Sequence, residues 1–325
     1  MATQQPAERA DSFAELFGAV ADNVGRVIQG KPDVIELVLL CLISEGHLLV
    51  EDVPGVGKTS LAKALATSID CTFGRMQFTP DLLPSDVVGV SVWDRSTSTF
   101  DFRPGPVFSN IVLGDEINRA SPKTQSALLE AMAERQVTVD GVTYRLPPPF
   151  MVIATQNPIE HEGTYPLPES QLDRFLMRVS VGYPGRDAEV SILDTHGGDD
   201  ALERLGPVLT ASQVADLVDA VRSVHVAAPL RGYLVDLAEA TRNHPAVAVG
   251  MSPRATLALQ RVARARAATE GRAYVVPDDV KALAGSVLSH RLLLSPEAQL
   301  QGMSALDVVA EVLDSVPIAA VPQPA

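Results

Sequence analysis

Apolar residues Phe13, Leu16, Phe17, Val20, Val24 and Val27 recur every three or four positions, which predicts an amphipathic helix over residues 11–28. A turn at Gly30-Lys31-Pro32 leads into a second helix that runs to about Ser44. The texture then changes. His47-Leu48-Leu49-Val50 is a short apolar run, followed by a glycine-bearing loop at 52–57 and a helix beginning near Lys58. Strand, glycine loop and helix in that order form the local signature of a nucleotide-binding α/β unit. Residues 1–10, ahead of these elements, read as a frayed polar terminus.

Residues 108–114 read as another buried strand, followed by a helix from Ser121 with Pro122 at its first position and Leu128, Leu129 and Met132 on one face. Residues 136–146 predict a hairpin, because Asp140-Gly141 suits a tight turn whose two central residues need positive φ. Residues 150–155 and 175–181 read as two more apolar strands. Strands alternating with helices imply a mostly parallel sheet covered on both faces. After Tyr183-Pro184-Gly185 only helical periodicity remains, broken at Gly197-Gly198, Gly206-Pro207, Ala228-Pro229, His244-Pro245 and Val276-Pro277. The expected architecture is an α/β nucleotide-binding core over residues 1–184 and a smaller all-helical domain over 185–325, with the boundary between about 184 and 208. The tail beyond Pro317 is rich in proline and alanine and reads as loose.

Charge and composition narrow the class. The 325 residues carry 40 acidic against 26 basic side chains, a formal net charge of -14, and a polyanion repels such a surface. That argues against a nucleic-acid partner. Cys41 and Cys71 are isolated and lack metal-ligand spacing, so neither a disulfide framework nor a zinc site is implied and the chain reads as cytoplasmic. The six histidines are scattered too. The first residues are polar and mixed in charge, unlike a secretory signal. The most apolar stretch, 34–43, is interrupted by Glu36 and too short to span a bilayer, so no transmembrane segment is expected.

The loop Pro54-Gly55-Val56-Gly57-Lys58-Thr59, continuing into Ser60, carries the logic of phosphate binding. Backbone N–H groups near Gly55 and Gly57 can approach phosphate oxygens unobstructed by a Cβ, and the following helix adds its N-terminal dipole. Lys58 supplies a compact cation for the terminal phosphates of ATP, and the Thr59 hydroxyl can ligate Mg²⁺. The first glycine of the G-x-x-x-x-G-K-[ST] pattern falls on Asp52, which is either a tolerated variation in the turn or a source of weak binding. Further on, Ile111-Val112-Leu113-Gly114-Asp115-Glu116 ends an apolar strand with two carboxylates. Asp115 suits a Mg²⁺ ligand and Glu116 a group that polarises the attacking water, a hydrolase role more than a kinase role. Asn157 either orients that water or simply turns the chain before Pro158.

At this point a resemblance becomes legible. Asp115-Glu116-Ile117-Asn118-Arg119-Ala120, the following Lys123 to Met132, Ala154-Thr155-Gln156-Asn157-Pro158, Leu167-Pro168-Glu169-Ser170-Gln171-Leu172-Asp173-Arg174-Phe175 and Ser252-Pro253-Arg254-Ala255 resemble the MoxR family of AAA+ ATPases over about 27–294. The resemblance implies a P-loop AAA+ core with a helical lid, usually assembled as a hexameric ring. It implies that Asn157 reads the γ-phosphate, that Arg174 is the finger inserted into the neighbouring subunit's site, and that Arg254 is a second sensor on the lid. An arginine near the γ-phosphate stabilises the charge spread over it in the transition state. It further implies a chaperone that remodels or matures client proteins and a partner with a von Willebrand factor A domain.

The family also carries an insert in its core. Residues 80–106, with Trp93, Phe100 and Phe102, would be that insert, and hairpin 136–146 a second protrusion. Both are either packing decoration or surfaces for substrate or partner contact. Two other functional classes stand beside the remodelling ATPase. A nucleic-acid motor is opposed by the acidic total and by a hairpin offering only Arg135 and Arg145 as cations. A regulatory scaffold that binds ATP with little turnover has only Asp52 in its favour.

Overall fold

The computed structural model describes residues 6–157, 163–196 and 201–318. They divide into two compact units, one formed by residues 18–167 and 179–215, the other by residues up to 17, 168–178 and 216 onwards. In chain order the first half contains α1 (Pro6–Gly25), α2 (Pro32–Ile43), β1 (Leu48–Glu51), α3 (Lys58–Ser68), β2 (Phe73–Gln77), α4 (Pro84–Val88), β3 (Gly89–Asp94), β4 (Thr99–Pro104), β5 (Ile111–Asp115), α5 (Pro122–Glu134), β6 (Gln136–Val139), β7 (Val142–Arg145) and β8 (Met151–Gln156). The second half contains α6 (Glu169–Leu172), β9 (Met177–Val179), α7 (Arg186–His196), α8 (Ala211–Ser223), α9 (Ala228–Asn243), β10 (Val247–Val249), α10 (Pro253–Thr269), α11 (Pro277–Leu288), β11 (Leu293–Leu294), α12 (Pro296–Leu300) and α13 (Ala305–Ser315). None of these helices is long and apolar enough to cross a membrane.

The central sheet has five strands in the order β2-β5-β8-β1-β9, and β2, β5, β8 and β1 run parallel. Leu48–Val50 in β1, Ile111–Leu113 in β5 and Met151–Ala154 in β8 are fully buried. Burial on both faces is why these strands read as unbroken apolar runs. Edge strand β2 gave no such signal. Its residues alternate around Gly74 and only Met76 is buried, with Arg75 and Gln77 exposed. Gly74 is required there, because a Cβ would come within 2.6 Å of Ser109 Oγ and 2.7 Å of the Pro106 carbonyl.

Three expectations shift by a few residues. The helix at the start begins at Pro6, inside the segment expected to fray, while residues 1–5 lie outside the described residues, as do the break at Gly197-Gly198 and the tail from 319. The strand expected from residue 108 begins at Ile111, because Pro106–Phe108 form a single 3₁₀ turn that sets Phe108 against the rings of Phe102 and Tyr144. The strand expected over 175–181 contracts to Met177–Val179, because the Phe175 and Leu176 carbonyls accept from His290 and Arg291 instead of joining a ladder.

The hairpin β6–β7 forms as expected, with Asp140 at φ 51° and Gly141 at φ 79°. Segment 80–106 folds into its own hairpin, β3–β4. Phe102 stacks on Tyr144 at 4.1 Å between ring centres, which joins the two hairpins, while Trp93 and Phe100 meet edge to face and stay exposed. The C-terminal part is helical, with a short antiparallel ribbon of β10 and β11 in addition.

In that part a bidentate ion pair ties α11 to the end of α10. Arg272 donates to both oxygens of Asp279, at 2.6 and 2.8 Å, and Asp279 also accepts from Val276 N at the head of α11. The Asp279 side chain is only 2% exposed. Removing one partner of such a pair strands a buried charge. Arg272→Ala, which leaves the buried Asp279 carboxylate without its partner, is therefore expected to lower the stability of this unit by about 3 kcal/mol in urea unfolding; an unchanged midpoint contradicts it.

Candidate functional site

Parallel strands place their C-terminal ends on one edge of the sheet, and in such sheets ligands sit in the crevice there. The register aligns Glu51 with Gln156 and Gly114 with Ala154, so the phosphate loop after β1, Asn157 after β8 and the acid pair at the end of β5 share that edge. Gly55 and Gly57 hold φ at 86° and 87°, a left-handed backbone that side chains resist. Their amides therefore turn in a way that most other residues adopt only under strain. Gly57 caps α3, so Lys58 and Thr59 occupy its first turn. Pro54 and Gly55 are exposed, and Val56, Gly57, Lys58, Thr59 and Ser60 half-buried. The Lys58 ammonium donates to the Asp52 carbonyl at 3.1 Å, inside the loop it serves.

Thr155, fully buried in β8, donates its hydroxyl to Asp115 Oδ1 at 2.7 Å and accepts the Glu116 amide at 2.9 Å. Glu116 itself adopts φ 57°, a left-handed conformation rare outside glycine and asparagine. The hydroxyl holds that turn closed and fixes where both carboxylates begin. Asn157 lies beside them, 8% exposed. Asp115 Oδ2 pairs with Arg75 at 2.9 Å, and Glu116 Oε2 accepts from Gln77 and from Arg119, each at 2.9 Å.

Asp52 resolves the odd position in the phosphate loop. It is 7% exposed, and its carboxylate accepts from Val53 N at 2.9 Å, Gly182 N at 2.6 Å and Ser180 Oγ at 3.2 Å. A glycine there would lose all three. The carboxylate fastens the loop's entry to the strand of chain leaving β9, so it is built into the turn. A cavity of about 390 Å³ opens between the end of α1 and the start of α2, lined by Ala21, Gly25, Ile28, Gly30, Lys31 and Ile35 among others. It abuts the phosphate loop: a Cβ added to Gly57 would lie 3.8 Å from Ile28 Cδ1.

Arg174 and Arg254 belong to the other unit. Arg174 follows the single turn of α6 and is half-buried, while Arg254 is exposed in the first turn of α10, which Ser252 caps by accepting from Ala255 N at 3.1 Å.

The family model described as "ATPase family associated with various cellular activities (AAA)" matches residues 47–177, and one described as "AAA lid domain" matches 239–312. The chain is 42% identical over 313 residues to Chaperone MoxR1 of Mycobacterium tuberculosis, covering 93% of this chain and 82% of that one. It is 34% identical to Protein MoxR of Paracoccus denitrificans, over 83% and 86% of the two chains. The chain belongs to the MoxR family of AAA+ ATPases. The uncharacterized protein YeaC of Bacillus subtilis is 49% identical over 93% of this chain and 95% of its own. A crystal structure of a candidate ATPase from Cytophaga hutchinsonii matches with a TM-score of 0.91 at 38% identity, covering 96% of this chain and 98% of that one.

In this MoxR chain the sequence reading missed Thr155, Arg75 and Gln77 as partners of the acid pair, and the cavity beside Ile28. Only Thr155 carried a signal, its place two residues before Asn157 in a strand otherwise apolar. Thr155→Val keeps the shape and removes the hydroxyl, leaving the Glu116 amide unsatisfied. A stability loss of about 1–3 kcal/mol is expected in chemical denaturation; none at all would mean the acid pair is held by other contacts.

Proposed function

We propose that this chain hydrolyses ATP to ADP and phosphate at the interfaces of a homo-oligomeric ring, and that it uses the cycle to remodel or mature client proteins. One observation carries the reading: the Thr155 hydroxyl binds the acid pair at the end of β5 to the strand that lies next to the phosphate loop's own strand. The left-handed Gly55 and Gly57 suit a polyphosphate backbone cradle, and the cavity beside Ile28 suits a purine base.

The oxygen donors of Thr59 and Asp115 are hard ligands of the kind Mg²⁺ takes alongside phosphates and water. When bound, the metal neutralises phosphate charge. The exposed pair of Asp115 with Arg75 is worth about 0–1 kcal/mol, too little to keep Asp115 from a cation. Lys58 offsets charge on the terminal phosphates, Glu116 accepts a proton from the attacking water, and Asn157 orients that water. Arg174 completes a neighbouring subunit's site, and Arg254 reads the nucleotide of its own. The MoxR1 relative's name as a chaperone supports a protein client. A hexamer and a partner with a von Willebrand factor A domain are the family's pattern, and the acidic total is in keeping with a protein client.

Lys58→Ala is expected to abolish nucleotide binding in a direct titration, whereas Glu116→Gln keeps binding and loses turnover by about a hundredfold or more. Full-strength binding in the first, or wild-type phosphate release in the second, removes the assignment concerned. Arg174→Ala is expected to bind ATP normally and to lose about a thousandfold in kcat. Mixing it with Lys58→Ala then restores part of the activity, because each supplies what the other lacks across an interface. Absence of recovery on mixing would place Arg174 in its own subunit's site or in none.

A further inference from the structure

A buried ionic hub lies under Arg174, within the unit that contains both segment 168–178 and the helices after residue 216. Arg291, 8% exposed, follows α11 and turns its guanidinium onto the chain after α6. Its Nε donates to Asp173 Oδ1 at 2.8 Å, and its terminal nitrogens donate to the carbonyls of Leu176 at 3.0 Å, Phe175 at 2.5 Å and Val287. His290 adds a bond from Nε2 to the same Phe175 oxygen, at 3.1 Å. Burial first, and the Arg291 charge second, hold the His290 pKa well below its ordinary value, so the ring is neutral and can keep its proton on Nε2. The residues on either side of Arg174 are thus clamped at carboxylate and carbonyl by a rigid guanidinium fork.

The hub reaches further through the other Asp173 oxygen. Oδ2 lies 3.4 Å from Ser252 Oγ, and that hydroxyl is also the cap of α10. Asp173 adjoins Arg174 in the chain, and Ser252 stands two residues before Arg254. Asp173 therefore connects the two arginines: it precedes Arg174 in the chain, is held by a strong charged bond to Arg291, and reaches the cap before Arg254 by a long hydroxyl bond. The long bond is the weak link.

We propose that Asp173 is a positioning residue that fastens Arg174 and Arg254 to a single frame, so that the nucleotide state sensed by Arg254 in one subunit sets the place of Arg174 in the next subunit's site. This rests on the roles given to both arginines under the proposed function. Displacement of Arg254 by its own nucleotide shifts the start of α10. Ser252 moves with it, and through Asp173 and Arg291 the turn carrying Arg174 follows. Hydrolysis in adjacent sites is then coupled through one hydrogen bond.

The test cuts that bond without removing the cap. Aspartate caps a helix as well as serine, so Ser252→Asp preserves the start of α10 while setting a second carboxylate against Asp173. Ser252→Thr keeps cap and donor together. Steady-state phosphate release is measured on the full chain for both, for Arg174→Ala and for the double variant Ser252→Asp with Arg174→Ala, with thermal unfolding alongside. Ser252→Asp is expected to lower kcat about tenfold or more with KM changed by less than about twofold, and Ser252→Thr to turn over like wild type. The double variant is no slower than Arg174→Ala alone, because both losses pass through one arginine. Should Ser252→Asp melt early, Ser252→Gly, a tolerated cap without a donor, is judged by the same criteria. Wild-type kcat in the cut variant, or losses that multiply in the double variant, overturns the coupling. If Arg174→Ala itself turns over like wild type, the role of Arg174 falls and the coupling with it. A slow Arg174→Ala beside a fast Ser252→Asp removes the coupling alone.

Discussion

A single hydroxyl, Thr155 Oγ1, joins the ends of two neighbouring parallel strands, and the geometry of the candidate site depends on it. It accepts the amide of a glutamate held in a left-handed turn and donates to the aspartate before it. The Glu116 amide is a strand-end group that the ladder leaves without a partner, and the Asp115 carboxylate accepts the hydroxyl's own hydrogen bond. Inside a buried sheet such an amide must find a partner, since an unpaired buried donor costs about 1–3 kcal/mol. Holding both residues with one rigid β-branched side chain fixes where two carboxylates leave the sheet.

The same logic recurs wherever a charge is buried. Asp52 accepts three donors at the entry of the phosphate loop, Asp279 three at the head of α11, and Asp173 shares the fork of Arg291 with backbone carbonyls. A buried ion is tolerated when its lone pairs or protons are used up, and breaking the set strands what remains. The clusters at Asp52 and Asp173 tie together segments distant in the chain, and the one at Asp279 joins the end of α10 to the head of α11. They act as fasteners, and two of the three stand beside residues assigned to the nucleotide cycle. In contrast, the contacts made directly by Asp115 and Glu116 to Arg75, Gln77 and Arg119 are more exposed, and so are readily exchanged.

Much of the fold was legible because burial leaves a trace in the sequence. Strands covered on both faces must be apolar throughout, so β1, β5 and β8 announced themselves. Edge strand β2 did not, since one of its faces is polar and Gly74 interrupts the pattern. The 3₁₀ turn at Pro106 and the shortness of β9 escaped for a different reason: their backbone groups are claimed by residues far away in the chain. Periodicity reports local exposure and says nothing of such claims.

By itself the sequence determined the chemistry of the candidate site: a glycine loop with Lys58 and Thr59, two acids after an apolar strand, and motifs specific enough to point to the MoxR family. Those are strings of adjacent residues, and adjacency is what a sequence records. Only the tertiary structure decided that Asp52 is a fastener, that Thr155 seats the acid pair, and that Asp173 stands between Arg291 and Ser252. Each of these is a hydrogen bond across tens to more than a hundred residues of chain. Its existence depends on how the strands and helices are registered against one another, which no local pattern encodes.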